Sequence, residues 1–180
     1  MAFYTGNGDS GKTSTVGKAG LDKYDELFEA EGDLDELNSV IGVAVYYIHN
    51  ERVRSMLKSI QNELFSIGAN IAQLGSANIP QKIEFGEEHT KRLEKEIDEL
   101  SATLPQYKKF IIPNGCEGAV HLHVARAVAR RAERTLLKLN SKYEIVPSIK
   151  SYMNRLSSYL FVAALYLNHL EGIEEEHPVY

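Results

Sequence analysis

Residues 125–136 read Ala-Arg-Ala-Val-Ala-Arg-Arg-Ala-Glu-Arg-Thr-Leu. Leu122, Ala125, Ala129, Ala132 and Leu136 recur at three- and four-residue intervals, the spacing of one buried helical stripe. At 100° per residue, Arg126, Arg130 and Glu133 fall within about 60° of each other beside that stripe, with His123 and Arg134 at one edge. Arginines one turn apart repel by a few tenths of a kcal/mol in an isolated helix. A wet surface tolerates this, and a bound anion reverses it, because guanidinium forks grip phosphate oxygens in bidentate fashion. Two readings stay open at this point: a solvated face with Glu133 as local counterion, or a face that receives phosphate.

Moving outward, the same periodicity covers most of the chain. Asp33 and Glu36 resemble a capping box opening a helix on Leu34, Leu37 and Ile41. A second helix is predicted over 52–74, with Val53, Leu57, Ile60, Leu64, Ile67 and Ile71 along one side. A loop over 75–86, containing Pro80, leads to a third helix over 87–103, with Leu93, Ile97 and Leu100 inward. The stretch 106–118, with Pro113 and Gly115, reads as an irregular crossover. The arginine helix then runs over 119–139 and a fifth over 147–168, where Tyr152, Leu156, Leu160, Phe161 and Leu167 are core candidates. The only strand signals, Phe3-Tyr4 and Phe110 to Ile112, are too short for a sheet core. The expected architecture is all-α: one domain over 1–180, with a glycine-rich arm (1–30), a five-helix bundle (31–170) and an acidic, solvated and mobile tail (171–180).

With 43% hydrophobic residues, the chain can bury a continuous core. A net charge of −5 argues against a nucleic-acid binder, which carries a basic patch. A lone cysteine, Cys116, suits a reducing compartment. No apolar run approaches the roughly 18 residues of a membrane span, so a soluble, cytoplasmic protein is expected. His121 and His123, two apart on a helix, do not face one metal ion.

The arm carries GNGDSGKT at 6–13, which satisfies the Walker A expression. Glycine N–H groups, the Lys12 cation and the Thr13 hydroxyl suit phosphate and magnesium. A P-loop also needs a buried strand before it and a parallel sheet around it, and only Met1 to Thr5 precede this one.

Four motifs in order supply a better account. YTGNGDSGKTS at 4–14 resembles the pattern Y-T-[RK]-x-G-D-x-G-x-T-[ST] of PduO-type ATP:cob(I)alamin adenosyltransferases. EGDLDELNS at 31–39, HVARAVARRAER at 123–134 and SYMNRLSSYLF at 151–161 resemble that family's other signatures, and KFIIPNG at 109–115 its crossover. The resemblance implies an all-helical enzyme that moves the 5′-deoxyadenosyl group of ATP to the cobalt of a corrinoid, releasing triphosphate. It implies that Thr5, Gly6, Gly8, Asp9, Gly11, Lys12, Thr13 and Ser14 wrap the triphosphate. Asp35 would pair with Arg126 across a subunit boundary, Arg130 would contact the phosphates, and Glu133 would hold the nucleotide or its magnesium. Asn154 would touch the nucleotide and Phe110 the lower face of the corrin. Arg131 and Arg134 would be structural. Implied partners are ATP, magnesium, cobalamin, two further copies in a homotrimer, a flavin-type reductase and a cobalamin-dependent enzyme. Gly6 stands where the family has a basic residue, Glu31 where it has tyrosine, Asn114 for a glycine, and Ser158 for an aspartate. These departures keep a non-catalytic ATP or corrinoid sensor or carrier in contention. A P-loop kinase or ATPase is the other rival, separable because it releases orthophosphate.

Overall fold

The structure, a computed structural model, describes residues 3–76 and 83–180; Met1 and the predicted turn at Pro80 lie outside the described residues. It consists of a short hairpin, β1 (Lys12–Thr15) and β2 (Lys18–Asp22), followed by α1 (Glu26–Tyr47), α2 (Glu51–Ala72), α3 (Glu88–Ser101), α4 (Glu117–Leu139) and α5 (Pro147–Leu170). The five expected helices are present. Packed neighbours give the order α2–α1–α4–α5–α3 across the bundle. Packed between α4 and α3, α5 buries Tyr152, Tyr159 and Leu160 completely.

The first helix begins seven residues before the expected capping box. Asp25 is the N-cap, its side chain accepting from the Leu27 N–H at 3.0 Å. Leu27, Ala30, Leu34, Leu37, Ile41 and Ala44 then form one buried stripe. Asp33 and Glu36 lie on the outer side of this helix and bind Arg131 of α4, with Asp33 Oδ1 3.1 Å from Arg131 Nε. Arg131 is thus a structural tie between helices, as expected.

The arm also differs from a plain loop. Residues 12–22 pair antiparallel around a turn in which Gly17 has φ +78°, a conformation that side chains with a Cβ rarely adopt. Thr15 Oγ1 donates to the Ala72 carbonyl at 2.6 Å, and Ser76 Oγ donates to the Val16 carbonyl, tying the hairpin to the end of α2.

A polar knot locks α2, α3 and α5 together. The buried Glu63 carboxylate accepts from Arg92 at 2.6 Å, from the Tyr152 hydroxyl at 2.6 Å, and pairs with His89 Nδ1 at 2.5 Å. Burial, then the Glu63 charge, push the Tyr152 hydroxyl far above its ordinary pKa, so it remains a donor. Removing one member of a buried charged network strands the others. Glu63→Ala is expected to cost about 3–5 kcal/mol of unfolding free energy, read from urea denaturation.

The segment 171–180 is not a free tail. The Ile112 N–H donates to the Glu176 carbonyl at 2.8 Å, and Ile173 N–H to the Asn168 carbonyl at 2.9 Å. Three glutamates in a row read as solvated, but here the Glu176 carbonyl and the Glu175 carboxylate both accept hydrogen bonds from the folded body.

Candidate functional site

Two separate groups of residues come together on this framework. The first lines a cavity of about 500 Å³ formed by the crossover, α4 and α5. Its wall includes Phe110, His123, Arg126, Arg130, Ser158 and Phe161. Phe161 is therefore a wall residue, half-buried, and not the core residue its periodicity predicted. It stands between His123, with ring centroids 6.1 Å apart, and Arg126, whose guanidinium carbon lies 5.8 Å from the ring centroid. Phe110 is 80% exposed, an apolar side chain held out at the rim.

The charge in this cavity is unbalanced. Among the described residues neither Arg126 nor Arg130 forms an ion pair, and Arg126 Nε is buried without a partner. Burial first, and the adjacent Arg130 second, lower the pKa of Arg126. Two guanidiniums facing one cavity without carboxylates form an anion site. His123 shares the strain: burial, then Arg126, bring it down to about 4, and neither ring nitrogen has a partner.

The sign of the pH effect follows directly. The folded protein holds His123 neutral, while the unfolded chain protonates it near its ordinary value of 6.5. Stability from this group is complete above pH 6.5 and declines as the pH falls to about 4. The full loss is roughly 3 kcal/mol. His123→Phe is expected to show a shallower loss than the unaltered protein when urea unfolding is compared at pH 7 and pH 4.

Beside the cavity, Glu133 Oε1 accepts from Asn154 Nδ2 at 2.9 Å, so two candidate residues from α4 and α5 meet. Among the described residues no group of three or more His, Cys, Asp or Glu side chains could hold a metal ion alone. A magnesium ion carried by triphosphate needs only one or two carboxylates; Glu133 offers one, with Oε1 already bonded to Asn154.

The second group sits elsewhere. Asp35 lines a groove between α1 and α2 with Glu31, Leu34, Asn38 and Phe65. Glu31 Oε1 and Asn38 Oδ1 are buried there without partners, and burial raises the Glu31 pKa. Ala72, whose carbonyl holds the hairpin, lies at the end of the same groove. The arm and Asp35 thus share one side of the molecule, and none of residues 5–14 lines the arginine cavity. Lys12 is paired with Asp22 at 2.6 Å within the hairpin, and the described residues form no parallel sheet around it, so the Walker A match is not a P-loop. The Asp35–Arg126 pair is absent within one chain. Sequence reasoning passed over His123 and Phe161 as site residues; their signal was the mixed polar and apolar edge of the α4 stripe.

Comparison with known proteins agrees with this geometry. A family description, "Cobalamin adenosyltransferase", matches residues 3–167. The corrinoid adenosyltransferase of Bacillus subtilis is 39% identical over 177 residues, spanning 96% of this chain and 90% of that protein. The corrinoid adenosyltransferase PduO of Salmonella typhimurium is 36% identical over 164 residues, spanning 91% of this chain but 49% of that protein, so this chain matches about half of it. Among solved structures, a variant PduO-type ATP:corrinoid adenosyltransferase from Lactobacillus reuteri, complexed with cobalamin and ATP, superposes with a TM-score of 0.94 at 36% identity. That match covers 99% of this chain and 100% of the other.

Proposed function

The chain belongs to the cobalamin adenosyltransferase family, and from that premise we propose that it transfers the 5′-deoxyadenosyl group of ATP to the cobalt of cob(I)alamin. The observation that carries the reading is the cavity in which unpaired Arg126 and Arg130 stand close to an exposed Phe110. The guanidiniums suit the polyphosphate and the aromatic rim suits a corrin face.

The reaction is a displacement at carbon. The cobalt(I) electron pair attacks C5′ of ATP; the cobalt–carbon bond forms, the C5′–O bond breaks, and its electrons leave with triphosphate. Cobalt(I) is nucleophilic without deprotonation, so no side chain serves as general base. The protein aligns C5′ with cobalt and stabilises the charge that develops on the departing oxygen, the task of Arg130 and Lys12. Glu133 would help to hold magnesium with the triphosphate, and the ion would supply further neutralisation of the departing phosphates. Phe110 covers the lower side of the corrin and excludes the lower axial ligand, which eases reduction of cob(II)alamin.

The complete site takes two copies of the chain in a homotrimer. The arm and Asp35 occupy one side and the arginine cavity another, so one copy's arm and Asp35 complete its neighbour's cavity. Val43, Tyr47 and Val124, exposed on α1 and α4, supply apolar surface for that contact. The described residues include no helix long and apolar enough to cross a membrane; the reducing cytoplasm, where Cys116 stays a thiol, is the place of action, with a flavin-type reductase supplying electrons and a cobalamin-dependent enzyme receiving product. The test is incubation with ATP and chemically reduced cobalamin. Adenosylcobalamin and triphosphate in equal amounts are expected; ATP binding without cobalt alkylation, or orthophosphate release, overturns the reading.

A further inference from the structure

Phe110 borders two spaces. It lines the arginine cavity and also a second space of about 500 Å³ bounded by Lys109, His177, Pro178, Val179 and Tyr180. What holds it there is a ladder between the crossover and the segment after α5. The Ile112 N–H donates to the Glu176 carbonyl at 2.8 Å, and His177 Nδ1 lies 2.8 Å from the Phe110 carbonyl. A carbonyl oxygen only accepts, so Nδ1 carries the proton in this contact.

Asn168 anchors the ladder at its inner end. Fully buried at the close of α5, it accepts the Cys116 N–H at 3.0 Å and donates to the Asn114 carbonyl at 3.2 Å and to Glu175 Oε1 at 3.0 Å. Gly115 passes against it with φ +123° and no room for a Cβ. Glu175 in turn helps to raise the pKa of the cavity residue Tyr107, after burial as the main cause. The crossover therefore has no regular secondary structure of its own over 105–116, and takes its position from Asn168 on one side and residues 175–177 on the other.

We propose that His177 is a positioning residue, which through its hydrogen bond to the Phe110 carbonyl fixes where the Phe110 ring stands at the rim of the cavity. This rests on the reading of Phe110 as the corrin-facing residue. A side chain at the rim has no packing of its own to define it, so its backbone must be fixed from behind. His177 is exposed, so its loss opens no hole in the core.

The test compares His177→Phe, which keeps a ring but loses the donor, with His177→Asn, whose amide nitrogen can occupy the Nδ1 position. The full chain is used, with ATP and cobalamin as substrates. For His177→Phe, KM for cobalamin is expected to rise about fivefold, the effect of one neutral hydrogen bond, with KM for ATP within about twofold of the unaltered protein. Electron paramagnetic resonance of cob(II)alamin with ATP should show a smaller share without a lower axial ligand. His177→Asn should recover both values. Unchanged KM and spectrum in His177→Phe overturn the proposal. So does a parallel rise in both KM values with a lowered Tm, which marks a general structural role. If the unaltered protein makes no adenosylcobalamin, the functional reading itself has failed, separately from the role of His177.

Discussion

Arg130→Ala is expected to lower kcat/KM for adenosyl transfer by about 10²–10³-fold, the usual loss when one preorganised charge donor is removed from a developing anion. The leaving group is a triphosphate, and the negative charge grows on the oxygen that departs from C5′. Arg130 faces the cavity with no carboxylate to neutralise it, so its whole charge is available to that oxygen. The same freedom makes the substitution harmless to the fold. Arg130 holds no helix to another through its side chain, whereas Arg131 next to it spans to Asp33 and Glu36. The two alanine variants should therefore split. Arg131→Ala should lower stability modestly, since Arg131 and Glu36 are about half exposed and the more buried Asp33 keeps its bond from Thr135, and leave the chemical step intact. Arg130→Ala should leave the unfolding midpoint unchanged and slow turnover by that factor. Arg130→Lys keeps the charge but loses the fork, and an intermediate rate is expected. Steady-state assays with chemically reduced cobalamin, beside thermal unfolding of all three, decide the matter. Equal turnover by Arg130→Ala and the unaltered protein would remove the phosphate site from this cavity.

The contrast between Arg130 and Arg131 also shows how far the sequence could be read. A rotation of about 100° per residue groups Arg130 with Arg126 and Glu133 and turns Arg131 to another face, but only the family resemblance gave Arg130 the phosphate role. All five helices were legible from the same periodicity. The start of α1 was not, since D-x-x-E at 33–36 has the form of a capping box while serving as an ion-pair site for another helix. The true signal, Asp25 before the stripe of Leu27, Ala30 and Leu34, was written in the same pattern and overlooked. The hairpin was hidden because Lys12, Thr13 and Lys18 to Asp22 show no apolar alternation; two strands of four and five residues bury too little to need one. The docking of residues 173–177 was hidden in the sequence. Part of it uses main-chain groups, which every sequence carries alike, and its side-chain part, His177 to the Phe110 carbonyl and Asn168 to Glu175, follows no periodic pattern. The Asp35–Arg126 pair that the resemblance implied is not made within one chain, because the two residues line different pockets.

Phe110→Ala is expected to lower turnover from cob(II)alamin by about 10²-fold, the scale of effect seen when a reacting group loses its alignment, at almost no cost in stability. The stability half follows from exposure. A side chain 80% accessible makes few contacts to lose, and substitutions at such positions stay within about 0.5 kcal/mol. An exposed phenylalanine is itself a cost in water, retained where a partner covers it. The catalytic half follows from what the ring excludes. Reduction of cob(II)alamin becomes easier when cobalt has no lower axial ligand, and an apolar ring against that face keeps water or a side chain from supplying one. Alanine leaves a gap of several methylene volumes, wide enough for water. The penalty should therefore depend on the oxidation state offered. With cob(II)alamin and a reductant the loss should be large. With cobalamin already reduced to cobalt(I), which needs no lower ligand removed, the loss should be much smaller and should lie mainly in KM. Parallel assays from the two starting states, with paramagnetic resonance of the cob(II)alamin complex, measure this difference; an equal loss from both would make Phe110 a general binding residue and remove its role in clearing the lower face of the corrin.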